Sequence, residues 1–147
     1  MSHKPARTSP QTTSSTNRVL TPDSAAGFAS DWIEAWNTRD LDRILNHYAD
    51  DVVLTSPFVR RLIGGKSDTV CGIAALRAYF ARGLNTCPDL RFVLRRTYCG
   101  IQSLVLEYQS VSNLLTVELM EFNRFGLVCR VCAHYAPANP GADISVP

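Results

Sequence analysis

The sequence predicts an α+β domain whose helices, drawn from its N-terminal half, gather on one side of an antiparallel sheet. Three observations predict it. Apolar residues recur at helical spacing in three segments before residue 87, and with a period of two from residue 90 onward. A chain of 147 residues has the length of one ordinary domain. Helices followed by a run of strands is the order that α+β folds show.

Residues 1–20 are Ser, Thr, Pro, Arg and Gln with almost no apolar content, and are expected to form a disordered tail. The domain is expected to span 21–136. Thr21 suits a helix N-cap, Pro22 the first helical position and Asp23 the positive end of the helix dipole. Ala25, Phe28, Ala29, Trp32, Ile33 and Trp36 then fall on one helical face, with Asp31 and Glu34 off it and expected in solvent. The stretch 37–40 breaks the helix, and Asp40 caps a short second one carrying Leu41, Ile44, Leu45 and Tyr48. A β-branched strand follows over 52–56, ended by Pro57. The stretch with Gly64 and Gly65 reads as a polar loop. Gly72 precedes a third helix with Ile73, Leu76, Phe80 and Leu84 in register, stopped by Pro88. Leu90, Phe92 and Leu94 open a strand, and strand-like runs cover 101–112, 114–122 and 127–135, the last two joined by a hairpin turn with Gly126. Residues 137–147, with Pro137, Pro140 and Pro147, read as an irregular tail.

Composition narrows the function classes. Hydrophobic residues make up 46% and charged residues 19%, which suffices for a core. No apolar run approaches the roughly 20 residues of a membrane helix. A net charge of +2, with arginines only in short pairs, argues against a nucleic-acid surface. Five cysteines and no apolar leader in the first residues suggest reduced thiols in a cytoplasmic protein. Cys129 and Cys132 are spaced like a redox pair but sit in a strand, where such a spacing splits them between faces, so buried inert thiols are expected. His3, His47 and His134 lie far apart, and no metal site or cofactor is expected.

Four segments resemble the nuclear transport factor 2-like superfamily, with the texture of SnoaL-like polyketide cyclases and ketosteroid isomerases. They are Trp36-Asn37-Thr38-Arg39-Asp40-Leu41-Asp42, Tyr48-Ala49-Asp50-Asp51-Val52-Val53, Gly72-Ile73-Ala74-Ala75-Leu76, and Phe122-Asn123-Arg124-Phe125-Gly126-Leu127-Val128. The resemblance implies a cone-shaped curved sheet wrapped by three helices around one pocket, the cystatin-like α+β barrel, and a homodimer. It also implies three functional positions. Where ketosteroid isomerases hold a carboxylate base just before the proline ending the first strand, this chain has Ser56. Where they hold a tyrosine donor on the first helix, it has Trp32. Their protonated acid on the penultimate strand is matched by Glu118.

Glu118 is the candidate catalytic residue. Strand alternation groups it with Thr116, Met120 and Phe122, and a carboxyl among such neighbours needs either a partner or a raised pKa. The binding residues expected around it are Trp32, Trp36, Tyr48, Ser56, Phe80, Met120, Phe122 and Tyr135. If Tyr135 lines the pocket, His134 points outward; His47 is expected on the solvated side of the second helix.

Three functions stay open at this point. One is a cofactor-independent isomerase, cyclase or lyase acting on a small apolar or polycyclic substrate. Another is a non-catalytic ligand-binding protein. The third is a protein-interaction module.

Overall fold

The computed structural model describes residues 20–137 and residue 141. The tails expected at either end lie almost wholly outside the described residues. Helix α1 (Pro22–Asn37) starts as its sequence dictates. The Thr21 hydroxyl accepts from the Ser24 amide at 3.1 Å, and Ser24 Oγ accepts from the Thr21 amide at 2.9 Å. Two otherwise orphaned donors at the helix start are thereby satisfied. Asp40 caps α2 (Leu41–Leu45) through the Arg43 amide.

Strand β1 (Tyr48–Thr55) leads to two elements where the sequence predicts a loop: a single helical turn α3 (Val59–Ile63) and strand β2 (Thr69–Cys71). Both are too short to show periodicity. Strand β2 exists only through its pairing with β1 over Val53–Cys71, Leu54–Val70 and Thr55–Thr69, which is a tertiary signal. Then follow α4 (Ile73–Thr86), β3 (Val93–Cys99), β4 (Ser103–Gln109), a 3₁₀ turn (Val111–Asn113), β5 (Leu115–Phe122) and β6 (Val128–Ala136). The strand expected from Leu90 begins only at Val93. Before it, Phe92 is fixed by Asn37, whose side chain donates to the Phe92 carbonyl at 2.9 Å and accepts from its amide at 2.7 Å.

The six strands form one curved sheet in the order β2-β1-β6-β5-β4-β3. The sheet does not close, so β2 and β3 are its edges. All pairings are antiparallel except β1 with β6, which run parallel and bring the first strand beside the last. On β6, Val128 opposes Phe122 while Arg130 opposes Glu121, so Cys129 is an extra residue. Such a bulge bends its strand and shifts the alternation. It explains why Val128 and Val131, three apart, are both buried. It also corrects the expectation for the cysteines: Cys129 and Cys132 are free and half-buried rather than buried.

The core lies between the helices and the concave face of the sheet. Trp32, Ile44, Leu54, Leu76, Leu104, Leu106, Met120 and Val131 are fully buried there. At the break between α1 and α2, Arg39 takes a left-handed backbone, φ 59°. Its guanidinium donates to the carbonyls of Leu84, Cys87 and Pro88 and so covers the end of α4. Among the described residues, no helix is long and apolar enough to cross a membrane.

Candidate functional site

An inner cavity of about 80 Å³ lies between α1, α4 and the sheet. Trp32 and Trp36, one turn apart on α1, form one wall. The Trp32 ring stacks on Phe92 at 5.8 Å and 20°, and Trp36 meets Phe80 edge-on at 4.8 Å. Phe92 in turn packs against Tyr108 at 4.7 Å. Leu54 and Ser56 close the side where β1 ends, and Tyr79 comes from α4. Glu118, Ala133 and Tyr135 rise from β5 and β6. A second, outer hollow of about 390 Å³ shares Cys87, Leu90, Ser110 and Val111 with the inner one. The shared residues put the mouth of the cavity between the α4–β3 loop and the β4–β5 turn.

Glu118 is 5% exposed. Its Oε2 accepts a 2.8 Å hydrogen bond from the Tyr108 hydroxyl. Burial pushes its pKa up from 4.5 to about 7, against the opposing effect of the Tyr108 bond. Tyr48, Tyr79, Tyr108 and Tyr135 all feel its charge, and burial followed by Glu118 raises Tyr48, Tyr108 and Tyr135 well above the usual phenol value. Burial pushes Tyr79 up to about 12. A carboxyl poised near neutrality among neutral phenols can accept or donate a proton.

The two tryptophans differ in one respect. The Trp32 indole N–H donates to the Tyr48 hydroxyl at 2.8 Å. The Trp36 indole nitrogen is buried without a hydrogen-bond partner among the described residues. Ser56, 1% exposed, accepts from the Phe58 amide at 3.2 Å and sits 3.4 Å from the Tyr79 hydroxyl. Its hydroxyl therefore braces the turn after β1, as well as lining the cavity.

Of the residues expected at the site, Glu118, Trp32, Trp36, Ser56, Phe80 and Tyr135 line the cavity. Tyr48, Met120 and Phe122 do not. Tyr48 stands behind Trp32 as its acceptor. Met120 is wholly buried in the core. Phe122 packs against Phe28 at 5.1 Å. Alternation assigned the right face of β5, but each same-face step moves roughly 7 Å along a strand, and the cavity is only one such step wide here. Tyr79, Tyr108 and Phe92 were missed. Helical spacing three after Leu76 marks Tyr79, and alternation with Leu104 and Leu106 marks Tyr108.

His134 is exposed on the outer face, as expected. His47 is not solvated: its Nε2 lies 2.7 Å from Asp31 Oδ2 and its Nδ1 3.0 Å from the Ile44 carbonyl, with Phe28 edge-on to the ring. Asp31, also expected in solvent, is held between His47 and Arg43. Arg43, ahead of other influences, keeps its carboxyl below the usual range. Among the described residues, no three His, Cys, Asp or Glu side chains are grouped to hold a metal ion.

Helices over one face of a curved sheet, enclosing a cavity with one buried carboxyl, define a small α+β cavity-bearing domain. The family model of the SnoaL-like domain matches residues 29–136, and the chain belongs to that family, within the nuclear transport factor 2-like superfamily. Among solved structures, it is similar to a SnoaL-like protein of unknown function from Burkholderia thailandensis. The two are 35% identical with a TM-score of 0.76, over 80% of this chain and 98% of that one. It shares its fold with a protein of unknown function with a cystatin-like fold from Methylobium petroleophilum. There the identity is 16% and the TM-score 0.64, over 84% of each chain. No curated protein matches the chain.

Proposed function

We propose that the cavity binds a small, mostly apolar molecule and that Glu118 transfers a proton to or from it, as a cofactor-independent isomerase, cyclase or lyase. The observation that carries this reading is the Glu118 carboxyl: buried, reached by one phenol and lining a mostly apolar cavity. A structural carboxylate in such surroundings is expected to have a cationic partner, because burying an unpaired charge is costly. Tyr108 is a neutral one. The volume of about 80 Å³ favours a compact ligand over a polycyclic one unless side chains move. Trp32, Phe80 and Tyr135 provide the apolar walls, and Ser56 and Tyr79 a second polar corner.

The competing reading is a non-catalytic binder. It is favoured by the end of β1, where Ser56 leaves Glu118 as the cavity's single carboxyl. Both readings extend to a cytoplasmic homodimer formed through the outer face of the sheet.

Small carbon acids, such as cyclic ketones and nitroalkanes, separate the two readings when incubated with the protein in heavy water. Deuterium uptake next to the activating group, lost in Glu118→Gln while binding persists, supports the enzyme. Binding without exchange in the wild type supports the binder. Absence of binding, or binding that persists unchanged when Ala133→Phe fills the cavity, overturns both.

A further inference from the structure

Trp36 is 6% exposed and lines the cavity, and its indole nitrogen has no hydrogen-bond partner among the described residues. Buried polar groups are nearly always paired, so an orphan donor on a residue that lines the cavity calls for an explanation. Its neighbour Trp32 shows the usual outcome, with the N–H directed to Tyr48. The two indoles are one turn apart, 5.9 Å between ring centroids, yet only one is satisfied by the protein.

An indole N–H can only donate. Whatever completes Trp36 must therefore present an acceptor atom. Among the described residues, no arginine, lysine or histidine lines the cavity, so an anionic ligand would be left without a counter-charge beside Glu118. The rings of Trp32, Phe80, Phe92 and Tyr108 make the walls flat and apolar. We propose that Trp36 is the specificity-determining donor of this cavity and that it selects small, uncharged molecules bearing a carbonyl-type oxygen. This rests on reading the cavity as a ligand site, and it deepens that reading by naming the group recognised and the residue that recognises it. The ligand oxygen is held at Trp36, and Glu118 is left to the rest of the molecule.

Cyclohexanone and methylenecyclohexane test this, since they share a shape and differ in an exocyclic oxygen against a CH₂ group. Their affinities are measured by titration calorimetry on wild type and Trp36→Phe, and the Trp36 indole proton is followed by NMR. In the wild type the ketone is expected to bind about tenfold more tightly or better, because the alkene leaves a buried donor unpaired. The ketone should move the Trp36 indole proton downfield, and Trp36→Phe should bring the two affinities together. The NMR arm needs no variant and stands even if Trp36→Phe fails to fold. Equal wild-type affinities, or a ketone preference that survives in Trp36→Phe, overturn the inference while the cavity remains a ligand site. Preference for tetramethylammonium over both probes also overturns it, because that cation would use the rings and Glu118 and leave the indole unpaired. If no probe binds, the ligand-site reading falls and this inference with it.

Discussion

The Tyr108 hydroxyl reaches Glu118 diagonally across the β4–β5 ladder, 2.8 Å from Oε2. Directly opposite Glu118 stands Leu106, and opposite Tyr108 stands Thr116. The pair is thus a diagonal cross-strand contact, the kind only long side chains can make. It gives a buried carboxyl one neutral donor and, among the described residues, no counter-charge.

A pH dependence of stability follows. Burial raises the Glu118 pKa from 4.5 to about 7. The folded chain therefore keeps this proton longer than the unfolded chain. Its contribution is fully present below about 4.5 and is lost as pH rises through about 7. The loss amounts to about 3 kcal/mol. Glu118→Gln has no such titration. Urea unfolding at pH 4.5 and pH 8 is expected to show the difference between the two proteins moving in favour of the variant by about that amount. Parallel stability profiles would refute a proton-holding Glu118.

Tyr108→Phe removes the donor that favours the charged carboxylate. Glu118 should then titrate higher still, by about one pH unit, since a single hydrogen bond to a charged group contributes on the order of 1.5 kcal/mol or more. The carboxyl stretch in infrared spectra, followed against pH and assigned by its absence in Glu118→Gln, measures this. A titration that stays put or falls would mean Tyr108 does not support the charged form.

The legible parts of the fold were those with local signals. Thr21, Pro22 and Asp23 announce α1 by capping and dipole chemistry that needs no tertiary context, and the stripe from Ala25 to Trp36 does the same for its buried face. Strand β2 and the single turn α3 were illegible because pairing alone creates the one and a few residues suffice for the other. At the site, Glu118 was legible because a carboxyl among apolar alternation is costly wherever it folds. The division between Trp32 and Trp36 was not. Both have the same residue type and the same face, and only the position of Tyr48, sixteen residues from Trp32, decides which indole is satisfied. The same reason holds for His47, which lies in the turn after α2: Asp31 on α1 supplies its partner.

Arg39 should contribute through its geometry more than its charge. Its guanidinium spans three carbonyls at the end of α4 and in the loop after it. Arg39→Met is expected to lower stability by about 1–2 kcal/mol in denaturant unfolding. Arg39→Lys should restore little of it, because a single ammonium lacks the planar fork that meets several acceptors at once. Full recovery in the lysine variant would show that charge alone matters there.

The outer face of the sheet is where a second copy is expected. Cross-strand partners share a face, so the register places Leu115 beside Gln109 and Ala136, Val117 beside Glu107 and His134, and Leu119 beside Val105 and Cys132. Strand β3 adds Val93 and Tyr98 to the same side. Val93 and Val117 remain 49% and 41% exposed. Exposed apolar residues in a row across a small domain, here interleaved with Glu107, Gln109 and His134, mark an interaction site, and a self-complementary two-fold dimer is the commonest way to cover one. Light scattering at micromolar concentration should therefore report a dimer. Val117→Lys places a charge at the centre of that face and should give a monomer, with little change in the stability of the isolated subunit because Val117 is already partly solvated. A wild-type monomer would rule out this assembly. A dimer that survives Val117→Lys would place the interface elsewhere on the domain.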